Sequence, residues 1–245
     1  WEFLFTQYGM ETITAFFLLF ASVIIIIFSI MLGLIYHTKF VMEYLGWCML
    51  MGSIWMLGES KFRQLLVPHS SALATLCFII LMLSPLPVLF YADQVQHRKY
   101  RRLYLPIGWL AIFNFIISTI LHLTGIADYI ETLFVSHTIL LLTVFVVLFT
   151  FALDIKKEKK HRNLLAFTGL LAATISVMIE GISTYFVVSL SGIFVGIGMM
   201  ILFSLNVLRT AENIHMMELR RQKKELAKRK RQIEKVSLQM IQTLS

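Results

Sequence analysis

Glu59, Arg63, His122, His137 and Glu180 each stand at or just inside the edge of a long apolar run, where ionisable side chains are uncommon. Two carboxylates and a guanidinium can grip a charged small molecule, and two histidines can make that grip sensitive to pH. The five residues are therefore the candidate ligand-binding set. Each also has a plainer role, because a side chain within a turn of a membrane surface can reach water on its own. Two histidines and two carboxylates could also ligate zinc, but they come from separate segments without local ligand spacing, so no metal site is expected. The same groups could exchange protons with a substrate, yet no nucleophile accompanies them. No catalytic residue and no cofactor follow from the sequence.

The apolar runs themselves must position these groups. The chain has 245 residues, of which 58% are hydrophobic and 15% charged, against roughly 25% charged in soluble domains. That composition excludes a water-soluble enzyme. Runs near Ile13–Tyr36, Phe40–Leu57, Ala72–Phe90, Leu105–Leu123 and Leu133–Leu153 are followed by one stretch from Leu164 to Leu208. As a single helix that last stretch would be about 67 Å long, about twice a hydrocarbon core, so it must fold back. A turn near Gly181–Tyr185 makes seven helices. The runs lack the alternation of a barrel strand, so the expected fold is an all-α membrane protein, a seven-transmembrane helix bundle.

No lysine lies inside an apolar run, which excludes a Schiff-base chromophore. A transporter or channel subunit is the alternative reading, but it would need a polar path through the bundle, and none is evident. Cys48 and Cys77 lie within apolar runs and read as small buried hydrophobes. In the third run Pro85 and Pro87 remove helix hydrogen bonds and predict a kink, which makes them hinge candidates.

Lysine and arginine set the orientation. With the N-terminus outside, all of the 22 basic residues except Lys61 and Arg63 fall on the cytoplasmic side. These basic loops are expected to meet anionic lipids rather than nucleic acid. Past Leu208 the helical pattern continues into a polar, basic tail. Leu219, Leu226, Ile233 and Met240 recur there every seven residues, one row of a parallel dimer seam, while Lys223 and Lys230 weaken the neighbouring row. A homodimer through a marginal cytoplasmic coiled-coil helix is the expectation; the alternative is a single basic helix lying on the inner leaflet.

The stretches Trp55-Met-Leu-Gly-Glu-Ser60, Leu83-Ser-Pro-Leu-Pro-Val-Leu-Phe90 and Leu123-Thr-Gly-Ile-Ala-Asp-Tyr-Ile-Glu131, followed by His137, resemble the bacterial seven-transmembrane receptors with diverse intracellular signalling modules. The resemblance covers about Ile13 to Arg209. It implies a sensor in the bacterial inner membrane, joined by a helical linker to a diguanylate cyclase, an HD-type phosphodiesterase or a histidine kinase. The closing residues 233–245 resemble the helix that enters a cyclic-di-GMP-handling domain. On this reading residues 1–12 are an extracytoplasmic segment, 13–208 the sensor, and 209–245 a signalling helix truncated before its output domain. The stretch itself is expected to have no enzymatic activity, and its ligand is an unidentified small molecule or lipid.

Overall fold

A computed structural model of the chain describes residues 2–36, 41–60, 70–158, 161–185 and 193–244. Among the described residues the secondary structure is helical, with no strand. The helices are α1 (Glu2–Tyr36), α2 (Met42–Glu59), α3 (Ser70–Leu83), α4 (Pro85–Val95), α5 (Arg101–Leu123), α6 (Tyr129–Glu158), α7 (His161–Tyr185) and α8 (Ile193–Leu244). The chain divides into two compact units, Trp1–Asn206 and Val207–Ser245.

Five helical stretches are long and apolar enough to cross a membrane: Thr12–Tyr36, Ser71–Val95, Arg101–Leu123, Tyr129–Lys156 and Phe194–Ile233. Their outer faces carry bare apolar side chains such as Phe20, Ile24, Leu34, Phe113 and Phe145, and Phe134 is 81% exposed. So many uncovered large hydrophobes are tolerable in hydrocarbon and costly in water. The chain is a helical membrane protein.

In the first unit α1 packs along α2, and α2 also meets α3 and α4. The α3–α4 rod and α5 both contact α6, which in turn packs on α7. The α1 seam is buried at Ala15, Leu18, Ser22, Ile25, Ser29 and Leu32, alternating steps of three and four that place small residues every seven positions. Small residues let two backbones approach where burial from water supplies no drive. Gly46 of α2 sits so close to α1 that an added methyl would meet Ile26 at 2.6 Å, and one on Gly58 would overlap the Cys77 sulfur. Gly169 and Gly198 serve the same end between α7 and α8, where the Ala173 Cα lies 3.0 Å from the Cβ that Gly198 lacks. Cys77 is buried, its thiol donating to the Ile54 carbonyl at 3.8 Å, and Cys48 is partly buried.

The proline signal in the third run corresponds to an interruption at Ser84. Pro85 and Pro87 open α4, both buried, while the Ser84 backbone keeps a helical geometry of φ −57°, ψ −28°. Pro85 cannot donate to the Leu81 carbonyl, and the Ser84 hydroxyl does so instead at 2.8 Å. The expected turn near Gly181–Tyr185 is not where the chain reverses. Helix α7 persists through Tyr185, and α8 starts at Ile193. A lone glycine costs a helix only about 1 kcal/mol relative to alanine, so Gly181 does not end it.

Candidate functional site

At the 124–128 turn, α5 ends in a Schellman motif: Gly125 N–H donates to His122 O, Ile126 N–H to Leu121 O, and Gly125 takes φ +70°. This geometry holds His122 against the next helix. Its ring stacks on Tyr129 at 4.2 Å, and Tyr129 stacks on Phe78 at 6.0 Å. The His122 Nδ1 lies 3.4 Å from Asp128 Oδ1 without the alignment of a hydrogen bond, so the two attract only when the ring is charged. His137 is exposed on α6, its Nδ1 at 3.0 Å from the Leu133 carbonyl of its own helix. No hydrogen bond or ion pair joins it to His122 among the described residues. Arg63 and the side chains of Glu59 and Glu180 lie outside the described residues.

The densest polar chemistry lies at the opposite end of α4, α5 and α6. Helix α4 also closes in a Schellman motif, with His97 N–H on Gln94 O and Arg98 N–H on Asp93 O. Here, however, the left-handed positions are His97 at φ 52° and Arg98 at φ 63°, not glycine. Two adjacent non-glycine residues in that region need outside support. It comes from the residues on either side. Lys99 Nζ reaches Asp154 Oδ1 on α6 at 2.6 Å, and the Tyr100 hydroxyl donates to the same oxygen at 3.0 Å. Asp154 is almost wholly buried, so both donors satisfy a carboxylate that water cannot reach. Burial, and then the hydrogen bond and negative charge of Asp154, push the Tyr100 phenol above its ordinary value.

One turn along, Gln96 Nε2 donates to Thr150 Oγ1 at 3.3 Å, and the Tyr104 hydroxyl donates to Gln96 Oε1 while also lying against Thr150 Oγ1. Thr150 has one proton for two neighbours, the Val147 carbonyl at 2.8 Å and the Tyr104 oxygen. Tyr91, on the buried face of α4, donates to Asn206 Oδ1 of α8 at 2.7 Å, and Asn206 Nδ2 returns to its own helix at the Leu202 carbonyl. The arrangement binds α4, the 96–100 turn, α5, α6 and α8 to one another through hydrogen bonds.

None of these residues was among the candidates drawn from titratable types at the run edges. A signal was present. Ser136, Thr143 and Thr150 recur every seven residues along α6 and lead to Asp154, a buried polar stripe in an otherwise apolar helix. No group of His, Cys, Asp or Glu able to hold a metal occurs among the described residues. Set against models of protein families, curated proteins and solved structures, the chain finds no match in any of the three.

Proposed function

We propose that this chain is the sensor region of a bacterial inner-membrane signalling protein, a seven-helix bundle with its N-terminus outside that relays a cue through α8 to an output domain. Helices α2 and α7 complete the seven. The observation that carries the reading is the bond from Tyr91 to Asn206. It couples the proline-interrupted rod to the one helix that runs on without a break to Leu244. A cue that bends the α3–α4 rod at Ser84 changes what α8 is tied to. In this reading a small molecule or lipid arrives at the end that carries Glu59, Arg63, His122, His137 and Glu180, and the output handles cyclic-di-GMP or phosphoryl groups. The chain acts as a homodimer along Leu219, Leu226, Ile233 and Met240, and this stretch performs no chemistry itself.

A diguanylate cyclase fused after Ser245, whose rate depends on the register of its two incoming helices, tests the relay. Tyr91→Phe and Asn206→Leu each remove one neutral hydrogen bond, about 0.5–1.5 kcal/mol, and should shift basal output by roughly twofold to tenfold. Both variants inserting normally while leaving output unchanged would remove the relay.

A further inference from the structure

Between α4 and α5 runs a narrow groove that encloses about 220 Å³. Leu86, Leu89, Trp109 and Ile112 wall it, and Gly108 opens its floor: a methyl there would lie 3.7 Å from Leu86 and 3.8 Å from Leu89. From Arg101 to Ile112 it follows α5 for about 16 Å at ~1.5 Å per residue. Ligand pockets usually offer about 300–1,000 Å³, so this one suits a single extended chain better than a compact molecule. Its polar end lies at the 96–100 turn, where Asp93, Arg101 and Tyr104 line it. Among the described residues Arg98, Arg101 and Arg102 make no ion pair, whereas Lys99 is engaged by Asp154. Asp93 Oδ1 is buried there with no hydrogen-bond partner among the described residues. A buried carboxylate oxygen without a donor is costly unless a bound group supplies one.

We propose that this groove is a phospholipid site, taking one acyl chain along Leu86–Leu89 and Trp109–Ile112, the phosphate diester at Arg101, and a headgroup hydroxyl at Asp93. Arg101 in the groove, with Arg98 and Arg102 close to it in the chain, favours an anionic diester, and the Asp93 carboxylate favours one whose headgroup carries a hydroxyl, of which phosphatidylglycerol is the simplest. The 96–100 turn joins two membrane-crossing stretches, so the polar end lies at headgroup depth whichever way the bundle is inserted. The inference does not depend on the sensor role. It does touch the hydrogen-bonded cluster, because the ring of Tyr104 lines the groove while its hydroxyl holds Gln96.

The test is lipid retention by the full chain in neutral micelles, read by native mass spectrometry with dioleoyl phosphatidylglycerol, phosphatidylcholine, phosphatidic acid and soluble glycerol phosphate as probes. Phosphatidylglycerol should be held about tenfold more tightly than phosphatidylcholine, and Arg101→Gln should remove most of that preference. Asp93→Ala should erase discrimination between phosphatidylglycerol and phosphatidic acid. Gly108→Leu, which fills the groove, should weaken retention about tenfold, while Gly108→Ala, which meets ordinary contact distances, should retain lipid like the parent. Should Gly108→Leu fail to fold, quenching of Trp109 by brominated-chain phosphatidylglycerol, isolated by difference from Trp109→Phe, must exceed that by brominated phosphatidylcholine. Equal retention of both lipids, or retention unaffected by Arg101→Gln and Gly108→Leu, reduces the groove to part of the annular lipid belt and overturns the site. Competition by glycerol phosphate as strong as by intact lipid overturns the acyl-chain assignment.

Discussion

Asp154 and Lys99 share one ion pair but not one environment: the carboxylate is 3% exposed and the ammonium 37%. Removing either partner therefore has unequal consequences. Lys99→Met strands a buried charge, and breaking such a pair costs about 3–5 kcal/mol, less here because the lysine side is partly screened by water. Asp154→Asn leaves a neutral amide that still accepts from Tyr100, while Lys99 turns to solvent. Thermal unfolding in micelles should show a larger loss for Lys99→Met than for Asp154→Asn, and Lys99→Met combined with Asp154→Leu should recover part of it. Equal losses for the two single variants would mean that Asp154 is solvated despite its burial. At this scale residue type points to the histidines and glutamates at run edges, whereas Thr150, Gln96 and the tyrosines of the cluster acquire their role only by meeting.

Helices were the legible elements, because a backbone in hydrocarbon must bond to itself and the apolar runs mark where that holds. Boundaries were less so. The helix that carries the first run begins at Glu2, ahead of Ile13, and the one that carries the fourth at Arg101, ahead of Leu105, because a helix bonds its own backbone in water as in hydrocarbon and so continues past the end of an apolar run. In α8, Leu219 is 38%, Leu226 63% and Ile233 69% exposed, a spaced apolar row bare in the single chain; the side chain of Met240 lies outside the described residues. A parallel dimer would cover that row. With Cys48→Ala and Cys77→Ala as background, Leu226→Cys should cross-link between protomers in membranes several times better than Arg229→Cys, which faces elsewhere in this register. Equal yields at the two positions would leave the tail as a single helix.

For the whole molecule, orientation is a matter of where lysine and arginine lie beside the spans, not of net charge. Cytoplasmic loops collect lysine and arginine, and here they lie overwhelmingly on one set of alternate connections. In the same cysteine-free background, a membrane-impermeant thiol reagent applied to intact cells should label Asp128→Cys and spare Lys157→Cys. Labelling in the opposite sense would invert the bundle, and with it the side on which the relay and its output are sought.

Composition and run length alone determined that this is a helical membrane protein, because the energy of moving apolar side chains out of water is set by their type and number, not by their neighbours. The proline interruption was equally local: a ring without an N–H cannot close its turn wherever it is placed. Which polar groups meet was decided by the tertiary structure. Gln96 and Thr150 are 54 positions apart, and Tyr91 and Asn206 are separated by 115. Hydrogen bonds act over about 3 Å, and although the polar stripe of α6 marks Thr150 as a candidate, nothing in the sequence names its partner. Only the packing of α4 and α5 on α6, and of α4 against α8, brings those donors and acceptors within reach.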